Sequence, residues 1–304
     1  MSDISNKNSL LELYMQRKTG KVTDKWHSYL IEYEKILRDY RQMPISLLEI
    51  GIQNGGSLEI WGNYFENAQL IVGCEIHESA RSLKYDNKII KVVIGDANSE
   101  ATLKNILDLS SSYDLIIDDG SHTSKDIIQS FAKYFPYLKQ GGKYIIEDLH
   151  ASYWGKWGGG LAFPLSSISF LKRLIDAIHK EHWGVSKDYS WLFKFFELNY
   201  ETQFDNFPFS QIHSIEFVNS ICIITKQEEE ENQLGLRVVS GDIEQVSAGI
   251  KRLNSTYSPT ANQDQNQWSN LKFPIEEELI ACKRRVAELE KQLYEINHSR
   301  PQQN

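Results

Sequence analysis

Residues 47–57 read "LLEIGIQNGGS": an apolar run interrupted by one acid, then a turn holding three glycines. Glycine lets a backbone approach a ligand closely, so the stretch predicts a strand, a ligand-facing loop and the start of a helix. Gly51, Gly55 and Gly56 do not follow the GxGxxG spacing, and there is no GxxxxGK[ST] loop. A pyrophosphate cradle, and with it an NAD-dependent enzyme, is disfavoured. What remains is an acid-x-Gly-x-x-x-Gly loop able to lie against an uncharged or cationic part of a nucleotide-type cofactor. Its candidate contacts are Glu49, Gly51, Gly55 and Ser57.

Outward from this stretch, short apolar runs alternate with amphipathic segments: "LIVGCEI" (70–76), "IIKVVIGD" (89–96), "DLIIDDG" (114–120) and "KYIIEDL" (143–149). Strands without polar alternation are covered on both faces, and the segments between them are long enough for crossover helices. The fold expected is α/β: a Rossmann-like, doubly wound sheet with right-handed crossovers. "HSIEFVNSICIITK" (213–226) predicts an antiparallel hairpin turning near Asn219 at its edge. Four regions are expected: a helical N-terminal segment (1–45), the main domain (46–253), a polar linker (254–272) and a C-terminal heptad helix (273–304). In the last of these Ile275, Leu279, Cys282, Val286, Leu289, Leu293 and Ile296 are spaced alternately by four and three. That is a coiled-coil seam, and it suggests a homo-oligomer or recruitment of another protein.

Acids stand where the predicted strands end. Glu75 closes the second, where it can accept both hydroxyls of a ribose, and Asp96 closes the third, where it can border an adenine edge. Asp118 and Asp119 end the fourth, Glu147 and Asp148 the fifth. In a sheet wound outward from its first strand the last two are neighbours, so Asp119, Glu147 and Asp148 are expected to converge. Three carboxylates together repel one another unless a hard divalent ion, Mg²⁺ or Mn²⁺, lies among them. Asp118 is expected to support the turn. His122, three residues past Asp119, is a candidate general base because imidazole titrates near neutrality. His150 competes for that role or lines the substrate pocket.

"LEIGIQNGGSLEIWGNYFENAQLIVGCEI", "YDLIIDDGSH" and "GGKYIIEDLHASYW" resemble the metal-dependent sugar O-methyltransferases of macrolide and polyketide biosynthesis, over about Lys21–Lys226. The resemblance implies a class I methyltransferase fold and S-adenosyl-L-methionine as cofactor, with Glu49, Gly51 and Gly55 by its methionine part. It implies Glu75 on the ribose, Asp96 near the adenine, Asp119, Glu147 and Asp148 on Mg²⁺, and His122 as the base. "TDKWHSY" resembles a substrate lid, which makes His27 and Tyr29 candidate pocket residues beside His150 and Trp154. The linker and heptad helix depart from the family pattern.

A net charge of -8 offers no basic face for nucleic acid. No apolar run approaches a membrane span, and the N-terminal stretch lacks the order of a signal peptide. Cys74, Cys222 and Cys282 are odd in number and far apart, which fits packed thiols in a reducing cytoplasm. The expected activity is methyl transfer to a sugar hydroxyl of a glycosylated natural product or polysaccharide. The alternative is a non-catalytic methyltransferase-like scaffold working through its coiled coil.

Overall fold

The computed structural model describes residues 9–271 and 274–298; the outer ends of the expected N- and C-terminal segments and the linker's last residue lie outside them. Two helices precede the sheet, α1 (Leu10–Gln16) and α2 (His27–Leu37). The sheet proper then alternates β1 (Ser46–Ile50), α3 (Gly56–Tyr64), β2 (Leu70–Glu75), β3 (Ile90–Ile94), α4 (Glu100–Leu107), β4 (Tyr113–Asp118), α5 (Ser124–Tyr134) and β5 (Leu138–Ile146). There follow α6 (Ser167–Ile178), α7 (Ser190–Tyr200), the hairpin β6 (Ile212–Val218) and β7 (Ile221–Lys226), and α8 (Ile275–His298).

The strands form one sheet in the order β3-β2-β1-β4-β5-β7-β6. β1 to β5 pair in parallel, while β7 runs antiparallel to both β5 and β6, as expected for the hairpin. The winding reverses between β1 and β4, and ligands of such sheets lie beyond the strand ends at that reversal.

Strand pleat distributes the core over two faces. Leu48, Ile50, Ile116 and Ile146 face α4–α7, in a cluster dense in aromatic rings around Phe131, Phe170 and Phe193. Leu47, Leu115, Ile117 and Ile145 face α1–α3, packing on Leu30, Tyr33, Leu37 and Trp61. This parity decides where the acids go. Asp119 N–H donates to the Ile50 carbonyl (2.9 Å) and Glu147 N–H to the Asp118 carbonyl (3.0 Å), so the pleat continues one residue past β4 and β5. Glu49, Asp119 and Glu147 therefore share the α2 side, and Asp118 falls on the other.

After β7, residues 227–271 hold only two short 3-10 turns, Glu229–Asn232 and Ile250–Leu253, and the expected linker begins within this stretch. Its later part is tied to the α6–α7 corner: Thr260 Oγ1 donates to the Glu181 carbonyl (2.8 Å), and Lys187 Nζ to that of Leu271 (2.7 Å). Backbone carbonyls seek partners even outside regular structure. α8 runs 24 residues with Leu279, Val286, Leu289 and Leu293 about half exposed.

Candidate active site

Two cavities meet at the strand ends. The larger, about 320 Å³, lies over β1, β2 and β3 and is lined by Gly51, Glu75, Asp96, Asp118 and Asp119, among others. That volume suits a cofactor-sized ligand. Among the described residues no lysine or arginine lines it, so a phosphate would meet acids where it needs cations; a positively charged group is favoured. Gly51 makes the floor. Its φ is +83°, and a Cβ there would stand 2.2 Å from the Asp119 carbonyl oxygen. Glu75 is buried and accepts N–H bonds from Ile52 (3.2 Å), Gln53 (2.8 Å) and His77 (3.1 Å), which fixes the glycine loop over the cavity.

Glu49, Gly55 and Ser57 do not line this cavity. The Ser57 hydroxyl and the Trp61 indole N–H both donate to Glu49 Oε2, at 2.6 and 3.2 Å. Gly55, at φ +75°, accepts the Tyr85 hydroxyl on its carbonyl (2.9 Å). The Asp118 carboxylate accepts the Gly120 N–H (3.3 Å), so it supports its own turn. Burial pushes its carboxyl up to about 7.

The second cavity, about 70 Å³, shares Gly51, Gln53, Asp119 and His122 with the first. Its other walls are Ile52, Ser57, Glu147, Asp148 and the segment Val22–Trp26. At its centre is Lys25, a residue the motif reading missed. Its ammonium pairs with Asp119, with Glu147 Oε1 (2.6 Å) and with Glu49 Oε1 (3.6 Å), and its side chain is only 3% exposed. Burial alone would depress the Lys25 pKa, but the three acids hold it well above the ordinary lysine range. Burial raises Glu147 to about 8, and it raises Glu49 and Asp119 as well. The buried Tyr33 hydroxyl donates to the same Glu147 oxygen (2.6 Å).

Asp148 reaches the site by a reversal. It sits at φ +54°, and His122 opposite sits at φ +58°. Left-handed backbone is uncommon outside glycine, and such residues cluster at functional sites. The two turns bring His122 Nε2 to 3.5 Å from Asp148 Oδ2 and 3.9 Å from Asp119 Oδ1. Asp119, His122 and Asp148 offer ligand atoms within 4.8 Å of one another. The three expected carboxylates are thus split, with Asp119 common to both groups: Asp119 and Glu147 hold Lys25, while Asp119 and Asp148 face His122. Oxygen donors of this kind fit a hard divalent ion, and the buried Glu49 Oε1, without a hydrogen-bond partner, adds to the local demand for positive charge.

Aromatic groups from the N-terminal segment and the β5 loop close the rim. The Trp26 indole N–H donates to Asp148 Oδ1 (3.0 Å). The Tyr29 hydroxyl lies 2.9 Å from both Asp148 Oδ1 and the Ser220 carbonyl. The ring of His150 meets those of Trp26 and Trp154 edge-on, at 6.1 and 4.9 Å, and its Nδ1 touches Ser220 Oγ (2.5 Å). His27 is exposed at the start of α2 and lines neither cavity.

Residues 48–149 match the family model described as a methyltransferase domain. Over 167 residues the chain is 34% identical to 8-demethyl-8-alpha-L-rhamnosyl tetracenomycin-C 2'-O-methyltransferase of Streptomyces olivaceus, covering 52% of this chain and 43% of that one. An alignment also of 167 residues gives 36% identity to mycinamicin VI 2''-O-methyltransferase of Micromonospora griseorubida, covering 51% of this chain and 41% of that one. The chain therefore spans less than half the length of these relatives. A solved methyltransferase from the mycinamycin biosynthetic pathway, in complex with Mg, SAH and mycinamycin VI, superposes with a TM-score of 0.59 at 27% identity, over 82% of this chain and 59% of that one. Sheet order, glycine turn and matched segment together identify residues 48–149 as a methyltransferase domain of the class I fold.

Proposed function

We propose that the chain transfers a methyl group from S-adenosyl-L-methionine to a sugar hydroxyl on a glycosylated natural product or polysaccharide. Asp119, Glu147 and Asp148 hold Mg²⁺ or Mn²⁺, and His122 is the base. The observation that carries this is adjacency: an acid-lined cavity of cofactor size shares Gly51, Gln53, Asp119 and His122 with a carboxylate site. Bound together, the sulfonium supplies a methyl carbon open to in-line displacement, and the divalent ion supplies a Lewis acid that acidifies the hydroxyl. His122 takes the hydroxyl proton on Nε2, steadied there by Asp148 and Asp119. Gly51 lines both cavities and carries no side chain, so it would leave room for the two ligands to approach each other. Trp26 and Trp154, 58% and 50% exposed, offer the flat apolar faces on which a sugar ring rests.

A methyl-transfer screen over glycosylated acceptors, with Mg²⁺ and with excess EDTA, tests this reading. Activity lost to chelation is expected, and full activity in EDTA removes the ion. His122→Ala should bind cofactor by calorimetry yet lose roughly a hundredfold or more in turnover; an active variant ends the base assignment. Binding of neither S-adenosylmethionine nor NAD would favour the scaffold alternative.

The same reading includes a homo-oligomer formed through α8. With Leu279, Val286 and Leu293 at a positions and Cys282 and Leu289 at d, an in-register parallel pairing sets Glu278 against Lys283 and Arg285 against Glu290 of the second copy. Oxidation should then link two Cys282 thiols, the exposed ones, into a covalent dimer. A free exposed thiol fits the reducing cytoplasm.

A further inference from the structure

Lys25 belongs to neither the glycine turn nor the strand ends, yet it sits where three acids converge. It is the sole lysine or arginine among the described residues lining the smaller cavity. Its neighbours Glu147 Oε1 and Asp119 are the oxygens assigned above to a divalent ion, and the third, Glu49 Oε1, has no hydrogen-bond partner. An ammonium and a small cation make the same demand on such a set, a positive centre ringed by oxygen, and both cannot occupy it. The chain around Lys25 is pinned at either side. Glu59 holds Arg17 and accepts Lys21 Nζ (2.7 Å) and Lys21 N–H (3.1 Å). Beyond Lys25, Tyr29 is tied to Ser220 and Tyr33 to Glu147. The intervening residues 22–26 have no regular structure. With Lys25 inserted, the cavity of about 70 Å³ holds roughly two waters, far less than a sugar ring.

We propose that Lys25 is an internal cation that closes the carboxylate site, and that a divalent cation displaces it, releasing residues 22–26 and opening the cavity to the acceptor. This rests on the assignment of Asp119 and Glu147 as metal ligands. The ion is then a key to the site as well as a reagent in it, and Lys25 is a positioning residue that touches neither methyl donor nor acceptor.

Hydrogen exchange of the peptide spanning residues 21–31, in which the Tyr29 and Leu30 N–H groups donate to the Trp26 carbonyl, is read by mass spectrometry with and without Mg²⁺ and tests the proposal on the wild-type chain. Mg²⁺ is expected to speed exchange in this peptide about tenfold or more. Lys25→Met should exchange fast without the ion, respond no further to it, and bind Mg²⁺ roughly tenfold more tightly by calorimetry. Mg²⁺ that binds the wild type and leaves the peptide protected overturns the proposal, as does weaker Mg²⁺ binding by Lys25→Met. If calorimetry detects no Mg²⁺ on either protein, the metal assignment falls and the displacement with it. Unchanged exchange in ion-free Lys25→Met, with Mg²⁺ still bound, overturns the closure alone.

Discussion

The two cavities share a wall but are made differently. The larger is built on the sheet: the ends of β1 to β4 and their turns, closed on one side by Asp126, Ile127 and Ser130 of α5, with Glu75 holding the glycine loop in place. The smaller needs residues 22–26, a segment that precedes every strand, and its shape depends on where one ammonium rests. A pocket made by strand ends is ready before its ligand arrives. A pocket closed by a side chain from elsewhere can be opened or shut, so the two halves of this site answer to different controls.

The largest expected effect comes from breaking the shared wall. Gly51→Ala puts a Cβ 2.2 Å from the Asp119 carbonyl at a φ of +83°, so both halves should fail together. A loss of about 3 kcal/mol or more in chemical denaturation is expected, with cofactor binding abolished. A stable variant that still binds cofactor would mean the turn has slack. Tyr33→Phe should separate the halves, because it strips a buried donor from Glu147 and touches nothing of the larger cavity. Stability should fall by about 1–3 kcal/mol while cofactor affinity stays within a factor of about two. A matching drop in affinity would show the halves to be coupled.

The smallest effect belongs to Asp118, on the cofactor side. Burial raises its carboxyl to about 7, above the unfolded value near 4. Its contribution to stability is therefore complete below about pH 4 and is lost as pH rises through about 7. Asp118→Asn, which keeps the acceptor for Gly120 N–H, should flatten that decline in EDTA. The gap over wild type should widen by roughly 1 kcal/mol between pH 6 and 8. Parallel profiles would argue against a neutral carboxyl in the fold.

The sheet was legible because its strands are continuous apolar runs closed by acids, a pattern that burial on both faces imposes. The convergence of Asp119 with Glu147 followed from adjacent strand ends. Pleat parity places Glu49 on the face of Leu47, where it turns to Ser57 and Lys25 and does not line the larger cavity. That signal was present in the sequence. Lys25 was not legible at all. A lysine between two helices in "VTDKWHSY" carries no periodicity, and only the tertiary fold brings it 94 residues along the chain to Asp119. The left-handed turns at His122 and Asp148 were equally hidden, since neither is a glycine.

The hairpin tip at Ser220 ties the sheet's outer strands to the rim of the candidate site. Its carbonyl takes the Leu149 N–H (2.9 Å) and the Tyr29 hydroxyl (2.9 Å), and its own hydroxyl holds His150. Turns of this kind tolerate insertion and exchange better than strand ends do. The rim of the site can thus be reshaped through changes at one peripheral loop while the acids stay as they are, a fixed centre inside a separately editable outline.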